Sequence, residues 1–315
     1  MEKEFNQVSK TPIALFTYNR PNHTQKVLES LSYCRRLDEC SLYIFCDGPK
    51  NNEQLKNVNA SRQVVESFAG PLQAKIIFRD ENLGLAHSIV SGVTELCGKY
   101  GRVIVIEDDL ELSPSFIDFM LQALDRYQDD ELVYQISGFM YPIKTPDMPD
   151  VFFLPVTTTW GWATWDRAWK KFDWNATGYQ KLLSDKKIRS AFDLDDSYPY
   201  SNMLKQRLIG KNDSWGILWW YAVFSVQGLV LYPGRTLVYN NGFDGTGTHC
   251  EYSREPIKAP EKNTFNIFPT TQIVTFPEKI AIHAQNLDLI KKDLHQSQRN
   301  IFQRILRILR TNFLL

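Results

Sequence analysis

The stretch Val103-Ile104-Val105-Ile106-Glu107-Asp108-Asp109-Leu110 joins an apolar, β-branched run to three consecutive carboxylates. A run of this kind is typical of a strand that is buried on both faces of a parallel sheet. Ionised carboxylates are costly to bury without partners, so the three acids are expected at the end of the strand, on a surface. In open α/β sheets the surface outside the carboxyl ends of the strands is where ligands bind.

An acidic cluster in that position suits a hard divalent cation. Mg²⁺ and Mn²⁺ prefer oxygen ligands, and they commonly bind through one or two protein carboxylates together with water and substrate phosphates. The triplet therefore indicates a metal and diphosphate site. The alternative is a solvated acidic turn that leads into a helix, with Ser113 as the N-cap and Pro114 as the first helical residue.

Strand-like and helix-like segments alternate along the chain. Apolar runs predict strands at residues 13–17, 42–46, 74–78, 103–106, 133–137, 152–156, 229–232 and 236–239. Helices are predicted at residues 24–31, 54–68, 85–100, 115–127 and 216–227. In the first third a strand recurs about every 30 residues with a helix between, which is typical of βαβ units and a mostly parallel sheet. The predicted fold class is α/β.

Composition and charge narrow the class of protein. The chain of 315 residues has 36 basic and 36 acidic side chains, so net charge gives no reason to expect a nucleic-acid partner. Its five cysteines show no metal-binding spacing, and the first residues have no apolar core. No run approaches the length of a membrane span. These features favour a reduced, cytosolic chain without a signal peptide.

Polar side chains follow the first three predicted strands as well as the acidic one. They are Thr17, Asn19, Arg20, Asp47, Arg79 and Asn82. Parallel strand ends meet at one edge of a sheet, so these side chains are expected to line one cleft with the triplet. An arginine suits a diphosphate through its bidentate fork, and an aspartate can accept from a base N–H. Taken singly, each is an ordinary turn residue.

Two further segments are candidates for an acceptor site. Four tryptophans, including Trp160 and Trp162, lie within ten residues; they are either core residues or a platform for sugar rings. Asp213 and Trp215 lie just before the apolar helix predicted at residues 216–227. Asp213 has a structural explanation as the N-cap, a role that Asn212 also suits, and it is also a candidate catalytic carboxylate aimed by the helix end; the two roles do not exclude each other.

The last third of the chain contains two more candidate segments. A glycine-rich stretch at residues 240–249 suggests a loop that closes over a ligand, with His249 near a diphosphate or metal, although an isolated histidine is more often structural. Residues 298–315 have apolar side chains at helical spacing, and their only charged side chains are arginines. This composition favours a membrane-surface helix. The alternatives are docking on the chain's own core or a dimer contact.

Over about residues 11–250 the chain resembles GT-A-fold, nucleotide-sugar-dependent glycosyltransferases, closest to the N-acetylglucosaminyltransferase I type. The most specific part is Val-Ile-Glu-Asp-Asp-Leu-Glu-Leu-Ser-Pro-Ser-Phe within residues 103–116, which is similar to that family's metal motif. The resemblance implies that Asp109 holds Mn²⁺ or Mg²⁺, Asp108 bonds the ribose and Glu107 lies near the donor sugar.

Other matches to the family extend these roles. Arg20 matches the arginine after the first strand, and Asp47 matches the aspartate that reads uracil. Asp213 resembles the catalytic base, although Ser214 intervenes before Trp215.

The resemblance also implies the architecture. It predicts a Rossmann-like mixed, mostly parallel sheet flanked by helices, with a basic amphipathic helix at the C-terminus. Residues 1–140 would form the nucleotide-sugar-binding half and residues 141–255 the acceptor-binding and catalytic half. Residues 256–297 would be an extension, and residues 298–315 the membrane-surface helix.

The implied activity is inverting transfer of a sugar, with N-acetylglucosamine as one candidate, from a UDP-sugar to a hydroxyl of a glycan or lipid-linked glycan. The expected setting is bacterial surface-polysaccharide synthesis, in the cytoplasm at the inner face of the cell membrane. Three alternatives remain: a retaining transferase, a non-catalytic sugar-binding or scaffold protein, and a sugar-1-phosphate nucleotidyltransferase. Residues 17–21 lack the glycine-rich loop that the nucleotidyltransferases have after the first strand.

Overall fold

The computed structural model describes residues 10–143, 145–243 and 274–312, and of residues 299–312 it describes the backbone only. The strands are β1 (Thr11–Thr17), β2 (Cys40–Cys46), β3 (Lys75–Phe78), β4 (Arg102–Glu107), β5 (Leu110–Leu112), β6 (Val133–Ser137), β7 (Val151–Leu154), β8 (Trp162–Trp165), β9 (Leu229–Pro233) and β10 (Val238–Asn240). The helices are α1 (Pro21–Ser32), α2 (Leu55–Leu72), α3 (Leu85–Tyr100), α4 (Phe116–Arg126), α5 (Asp166–Trp169), α6 (Tyr179–Ser184), α7 (Lys186–Phe192), α8 (Tyr200–Leu208), α9 (Trp215–Ser225) and α10 (Ala284–Asn312).

Eight strands form one sheet in the order β3-β2-β1-β4-β8-β6-β9-β7. β7 and β8 run antiparallel to their neighbours, and the other strands of this sheet are mutually parallel. β10 and β5 pair separately as an antiparallel ribbon. The predicted α/β class, with a mixed, mostly parallel sheet flanked by helices, is confirmed. Strands from both predicted halves of the chain contribute to this one sheet.

β4 lies near the middle of the sheet because its side chains are apolar on both faces. Ile104 and Ile106 pack into the core on the side of α1 and α4, whereas Val103 and Val105 pack on the side of α3 and α9. All four are fully buried. Since successive side chains of a strand point to opposite faces, Glu107 continues the face of Val105.

A cluster of tryptophans fills the core between the sheet, α3 and α9. Trp162, Trp169, Trp215 and Trp219 pack with ring centroids 5.0–6.4 Å apart. Trp162 is 0% exposed and Trp215 is 4% exposed, so the prediction that these two form part of an acceptor platform is wrong. The apolar rings are buried by their own neighbours, which is the alternative that the sequence left open.

Neither helix cap that the sequence offered as a structural alternative is formed. α4, predicted at residues 115–127, begins at Phe116, because the chain as far as Ser113 remains extended beside β10, where Ser113 N donates to Leu237 O at 2.8 Å. At α9 the N-cap is Ser214, whose Oγ accepts from Ile217 N at 3.4 Å, and Asn212 instead accepts from Ser214 N. The exposed Asp213 is therefore not needed as a cap.

α10 contacts the body of the protein through its first half. Leu287, Ile290 and Leu294 are buried in the main core, at the spacing expected for one helix face. The helix continues without a break to Asn312. Among the helices described, none is both long and apolar enough to cross a membrane.

Trp162→Ala is expected to lower the free energy of unfolding by about 3–5 kcal/mol, because it leaves a large cavity in a buried aromatic cluster. Trp160→Ala is the matched control and should cost clearly less, since Trp160 is only half-buried. Urea denaturation of both variants measures the difference. Equal losses would contradict the assignment of Trp162, and not Trp160, to the core.

Candidate active site

The acidic triplet lies at the carboxyl end of β4 and is joined there by Arg20, which follows β1. The Arg20 guanidinium donates to Asp108 Oδ1, and it donates to Asp109 Oδ2 at 3.1 Å. The Asp108 side chain is 5% exposed, and those of Arg20 and Asp109 are 19% and 17% exposed. β1 and β4 are parallel neighbours, so their ends bring these three side chains together.

Burial and charge perturb this cluster strongly. Burial raises the pKa of Glu107 well above its usual value, and the charges of Asp109 and Asp108 act in the same direction. Burial also raises the pKa of Asp108, against the lowering effect of Arg20. For Arg20, burial opposes the charged form, but the two aspartates outweigh it and raise the pKa. The cluster therefore carries more negative charge than Arg20 alone compensates.

The residues present fit a divalent cation that takes most of its ligands from water and substrate. Asp108 Oδ2 is buried without a hydrogen-bond partner in the part of the chain that the structure describes. The neighbouring Asp109 carboxylate is partly accessible. Among the described residues there is no group of three or more histidine, cysteine and acidic side chains arranged as a complete metal site. Mg²⁺ and Mn²⁺ need only one or two protein carboxylates.

Asp47 and Asn82, which were predicted to contact the donor, hold their own loops together. Asp47 Oδ1 accepts from Gly48 N and Leu83 N, and Oδ2 accepts from Gly84 N and Asn82 Nδ2, at 2.9–3.1 Å. A carboxylate offers about four lone-pair sites, so these bonds occupy them all. The geometry gives no support to the predicted uracil contact of Asp47, because no acceptor position is left for a base.

Arg79 and Thr17 are likewise engaged away from the acidic cluster. Arg79 donates to Ser88 and Ser91 on α3, and its guanidinium carbon lies 5.4 Å from the centre of the Phe45 ring. The buried Thr17 donates to Cys46 Sγ at 3.3 Å. Asn19 is half-buried next to Arg20. Of the predicted donor-binding side chains outside the triplet, Arg20 is the one that contacts the acids.

The N-terminus of α9 lies at the same edge of the sheet as the triplet. Trp215 stacks on Trp162 with ring centroids 5.5 Å apart, and Trp162 pairs in register with Val105 of β4. The exposed Asp213, which precedes α9, therefore lies at the carboxyl end of β4 on the same face of the sheet as Glu107. Trp160 packs edge-on against Phe139 and Phe243, with centroids 4.6 and 5.6 Å away. His249 lies outside the described residues.

Three residues beside the acids were not assigned to the site from the sequence: Asn241, Glu111 and His23. Asn241 N donates to Asp109 O at 2.7 Å, and Asn241 Nδ2 donates to Glu111 Oε1 at 2.9 Å. The buried His23 Nε2 lies 3.3 Å from Asn241 O, where it serves as the donor. Asn241 lies in the loop that was predicted to close over a ligand, but an Asn-Asn-Gly sequence does not show that its backbone bonds to Asp109.

Comparison with known proteins gives limited similarity. No family model matches the chain. The bifunctional protein GlmU of Rhizorhabdus wittichii is 32% identical over 81 residues, which are 25% of this chain and 18% of that protein. The chain thus spans less than a fifth of the length of this curated relative.

Several solved structures are similar at low identity. TarS of S. aureus has a TM-score of 0.38 and 15% identity over 52% of this chain and 30% of its own. The mannosyltransferase PcManGT of Pyrobaculum calidifontis, in complex with GDP-Man and Mn²⁺, has a TM-score of 0.36 and 11% identity over 69% and 73%. Mouse xyloside xylosyltransferase 1 has a TM-score of 0.37 and 14% identity over 69% and 81%. At these scores the similarity carries no information about this chain's activity.

Glu107→Gln is expected to raise the free energy of unfolding at neutral pH. The folded-state pKa of Glu107 is raised, so its ionisation destabilises the fold. In the parent chain stability is therefore lost as pH rises from the ordinary carboxyl value through the folded value. Glutamine removes that loss. Urea denaturation as a function of pH measures it, with the exposed Glu95→Gln as the control. Identical pH profiles for parent and Glu107→Gln would contradict this account.

Proposed function

We propose that this chain is a metal-dependent, inverting glycosyltransferase that moves a sugar from a nucleotide-sugar donor to a hydroxyl of a glycan acceptor. The observation that carries the proposal is the convergence of Arg20, Asp108 and Asp109 at the carboxyl end of β4. This is where an open α/β sheet binds its ligands. Asp108 Oδ2, which is buried and has no hydrogen-bond partner among the described residues, further supports a site that a ligand completes.

The donor would bind at the triplet. Asp109 would hold the divalent cation, and Asp108 would contact the ribose of the donor. The cation, when bound, supplies positive charge that offsets the charge on the leaving diphosphate. Arg20 orients both aspartates, since its guanidinium donates a hydrogen bond to each of them. A UDP-sugar, with N-acetylglucosamine as one candidate, follows from the resemblance of the triplet to the family motif.

The transfer step would use Asp213. As the acceptor oxygen forms its bond to the anomeric carbon, the bond from that carbon to the diphosphate oxygen breaks, and Asp213 takes the hydroxyl proton. Asp213 is exposed and precedes the rigid α9, so an acceptor hydroxyl can reach its carboxylate. Attack from the face opposite the leaving group inverts the anomeric centre without a covalent intermediate. Trp160, half-buried at the same edge, is the remaining candidate platform for the acceptor sugar.

Asp109→Asn and Asp213→Asn are expected to separate donor binding from chemistry. Asp213→Asn should keep the melting-temperature rise that a UDP-sugar causes with Mn²⁺, while kcat falls about 100-fold or more because the base is lost. Asp109→Asn should lose the metal-dependent rise itself. A thermal-shift panel of nucleotide sugars, followed by transfer assays, measures both effects. The exposed Asp129→Asn is the control and should behave as the parent chain.

Three outcomes would overturn parts of this proposal. Full transfer by Asp213→Asn would exclude that residue as the base. Retention of anomeric configuration, seen by NMR of the product, would exclude inversion. Formation of a nucleotide sugar and pyrophosphate from a sugar-1-phosphate and a nucleoside triphosphate would identify a sugar-1-phosphate nucleotidyltransferase.

The proposal places the enzyme in the cytoplasm, on the inner face of a bacterial cell membrane, where it would act on a glycan or lipid-linked glycan of a surface polysaccharide. The uninterrupted α10 supports this, because its backbone continues from the half that docks on the core through the arginine-rich residues 298–312. Arginines of such a helix attract anionic lipid, and salt screens the attraction.

Removal of residues 298–315 is expected to abolish sedimentation with vesicles that contain anionic phospholipid. The full chain should bind these vesicles, bind neutral ones weakly, and dissociate as salt is raised. Sedimentation of both chains with both vesicle types measures this. If the full chain does not bind and the truncation instead converts a dimer to a monomer, the segment is a dimer contact and the membrane assignment falls.

A further inference from the structure

The backbone that follows β10 is held directly against the acidic cluster at residues 240–242. Asn241 has a partner on each of three elements: the Asp109 main chain after β4, Glu111 on β5 and His23 on α1. Gly242 N donates to Asn240 Oδ1 at 2.7 Å, which closes a tight turn. These contacts bring residues 240–242 to the acids from a point some 130 residues later in the chain, as the Asn241 to Glu111 bond shows.

Gly242 permits a closer approach than any other residue would. A Cβ built there would lie 2.6 Å from Asp109 Oδ2 and 3.2 Å from Asp109 Cγ. The φ of Gly242 is not in the left-handed region, so available space, and not backbone conformation, is the reason for glycine. Asp109 Oδ2 is also the atom that accepts from Arg20 at 3.1 Å. One carboxylate oxygen is thus confined between the Gly242 backbone and a guanidinium.

We propose that residues 240–242 are a positioning segment for Asp109, and that Gly242 is the position on which its geometry depends. The segment confines Oδ2, so the carboxylate has one orientation in which Oδ1 is the oxygen available to a ligand. This inference rests on the proposed function, in which Asp109 holds the cation. A methyl group at position 242 would displace Oδ2 from Arg20 and reorient the carboxylate. Gly242 is buried, but the nearest atoms that a Cβ would meet belong to the side chains of Asp109 and Asn240, which can shift, so the effect should fall on ligand binding before it falls on folding.

Gly242→Ala is expected to weaken Mn²⁺ binding about tenfold, with the melting temperature of the unliganded protein changed by only a few degrees. Electron paramagnetic resonance of free Mn²⁺ measures the affinity, and the melting-temperature rise with UDP and Mn²⁺ measures donor binding. Gly98→Ala on α3 is the matched control, because a Cβ there meets nothing within 4 Å. It should leave both readouts unchanged. Parent-like Mn²⁺ affinity in Gly242→Ala would overturn the proposal.

The hydrogen bond from Asn241 Nδ2 to Glu111 Oε1, here called the tether, gives a second test that includes a conservative variant. Glu111→Gln keeps the Oε1 acceptor for Asn241 Nδ2 and should keep Mn²⁺ affinity within about twofold of the parent chain. Glu111→Ala removes the acceptor and should weaken binding by several-fold. Equal effects of the two substitutions would count against a role for the tether.

A double-mutant cycle separates failure of this inference from failure of the proposed function. If the parent chain binds neither Mn²⁺ nor UDP, the proposed function fails, but Gly242→Ala and Arg20→Ala still test the positioning. Both act on Asp109 Oδ2, so their effects on urea-unfolding midpoints should be clearly smaller together than summed. Additive effects would overturn the positioning of Asp109 by Gly242.

Discussion

The ion pair between Arg20 and the two aspartates is the interaction on which the site depends. A buried ionised carboxylate needs hydrogen bonds or a positive partner to compensate its desolvation, and removing one partner of a buried ion pair typically costs 3–5 kcal/mol. Here the compensation is incomplete, since Glu107 has a raised pKa and Asp108 Oδ2 has no partner among the described residues. Strongly perturbed groups of this kind cluster at functional sites. The unfavourable free energy of this incompletely compensated cluster is offset by the stability of a sheet whose central strands are buried on both faces.

The rest of the fold serves to bring distant segments to this pair. β8 runs antiparallel between β4 and β6, and its Trp162 anchors the tryptophan cluster against which α9 packs. That packing is what carries Asp213 to the edge of the sheet, through Trp215. On the other side of the site, β10 pairs with β5, the strand that immediately follows the triplet. This pairing places Asn241 against the backbone of Asp109. Substitutions in the tryptophan cluster are therefore expected to disturb the site, although the substituted side chains do not contact the acids.

Sequence reasoning succeeded where burial alone dictates structure and failed where a tertiary contact does. The apolar run before Glu107 predicted a central strand, because nothing else accommodates four consecutive buried aliphatic residues before an acidic turn. β8 was missed, because Trp162-Ala-Thr-Trp165 shows aromatic content more clearly than a strand period. Asp47 was assigned to a base because the local sequence does not show that three backbone amides and Asn82 already donate hydrogen bonds to its carboxylate. The contact of Gly242 with Asp109 depends on the pairing of β5 with β10, which no local pattern encodes.

Asp108 and Glu107 lie on opposite sides of the sheet, and the two sides have different roles in the proposed mechanism. Asp108 lies on the α1 side, where Arg20 binds it and the charge of His23 reaches it. Glu107 continues the face of Val105, toward α3 and α9. In the proposed mechanism the diphosphate is neutralised on the first side and the acceptor is deprotonated on the second. A one-residue shift of register in β4 would exchange these faces, since side chains alternate with a period of two. The fully buried run from Val103 to Ile106 opposes that shift, because its side chains fill both cores.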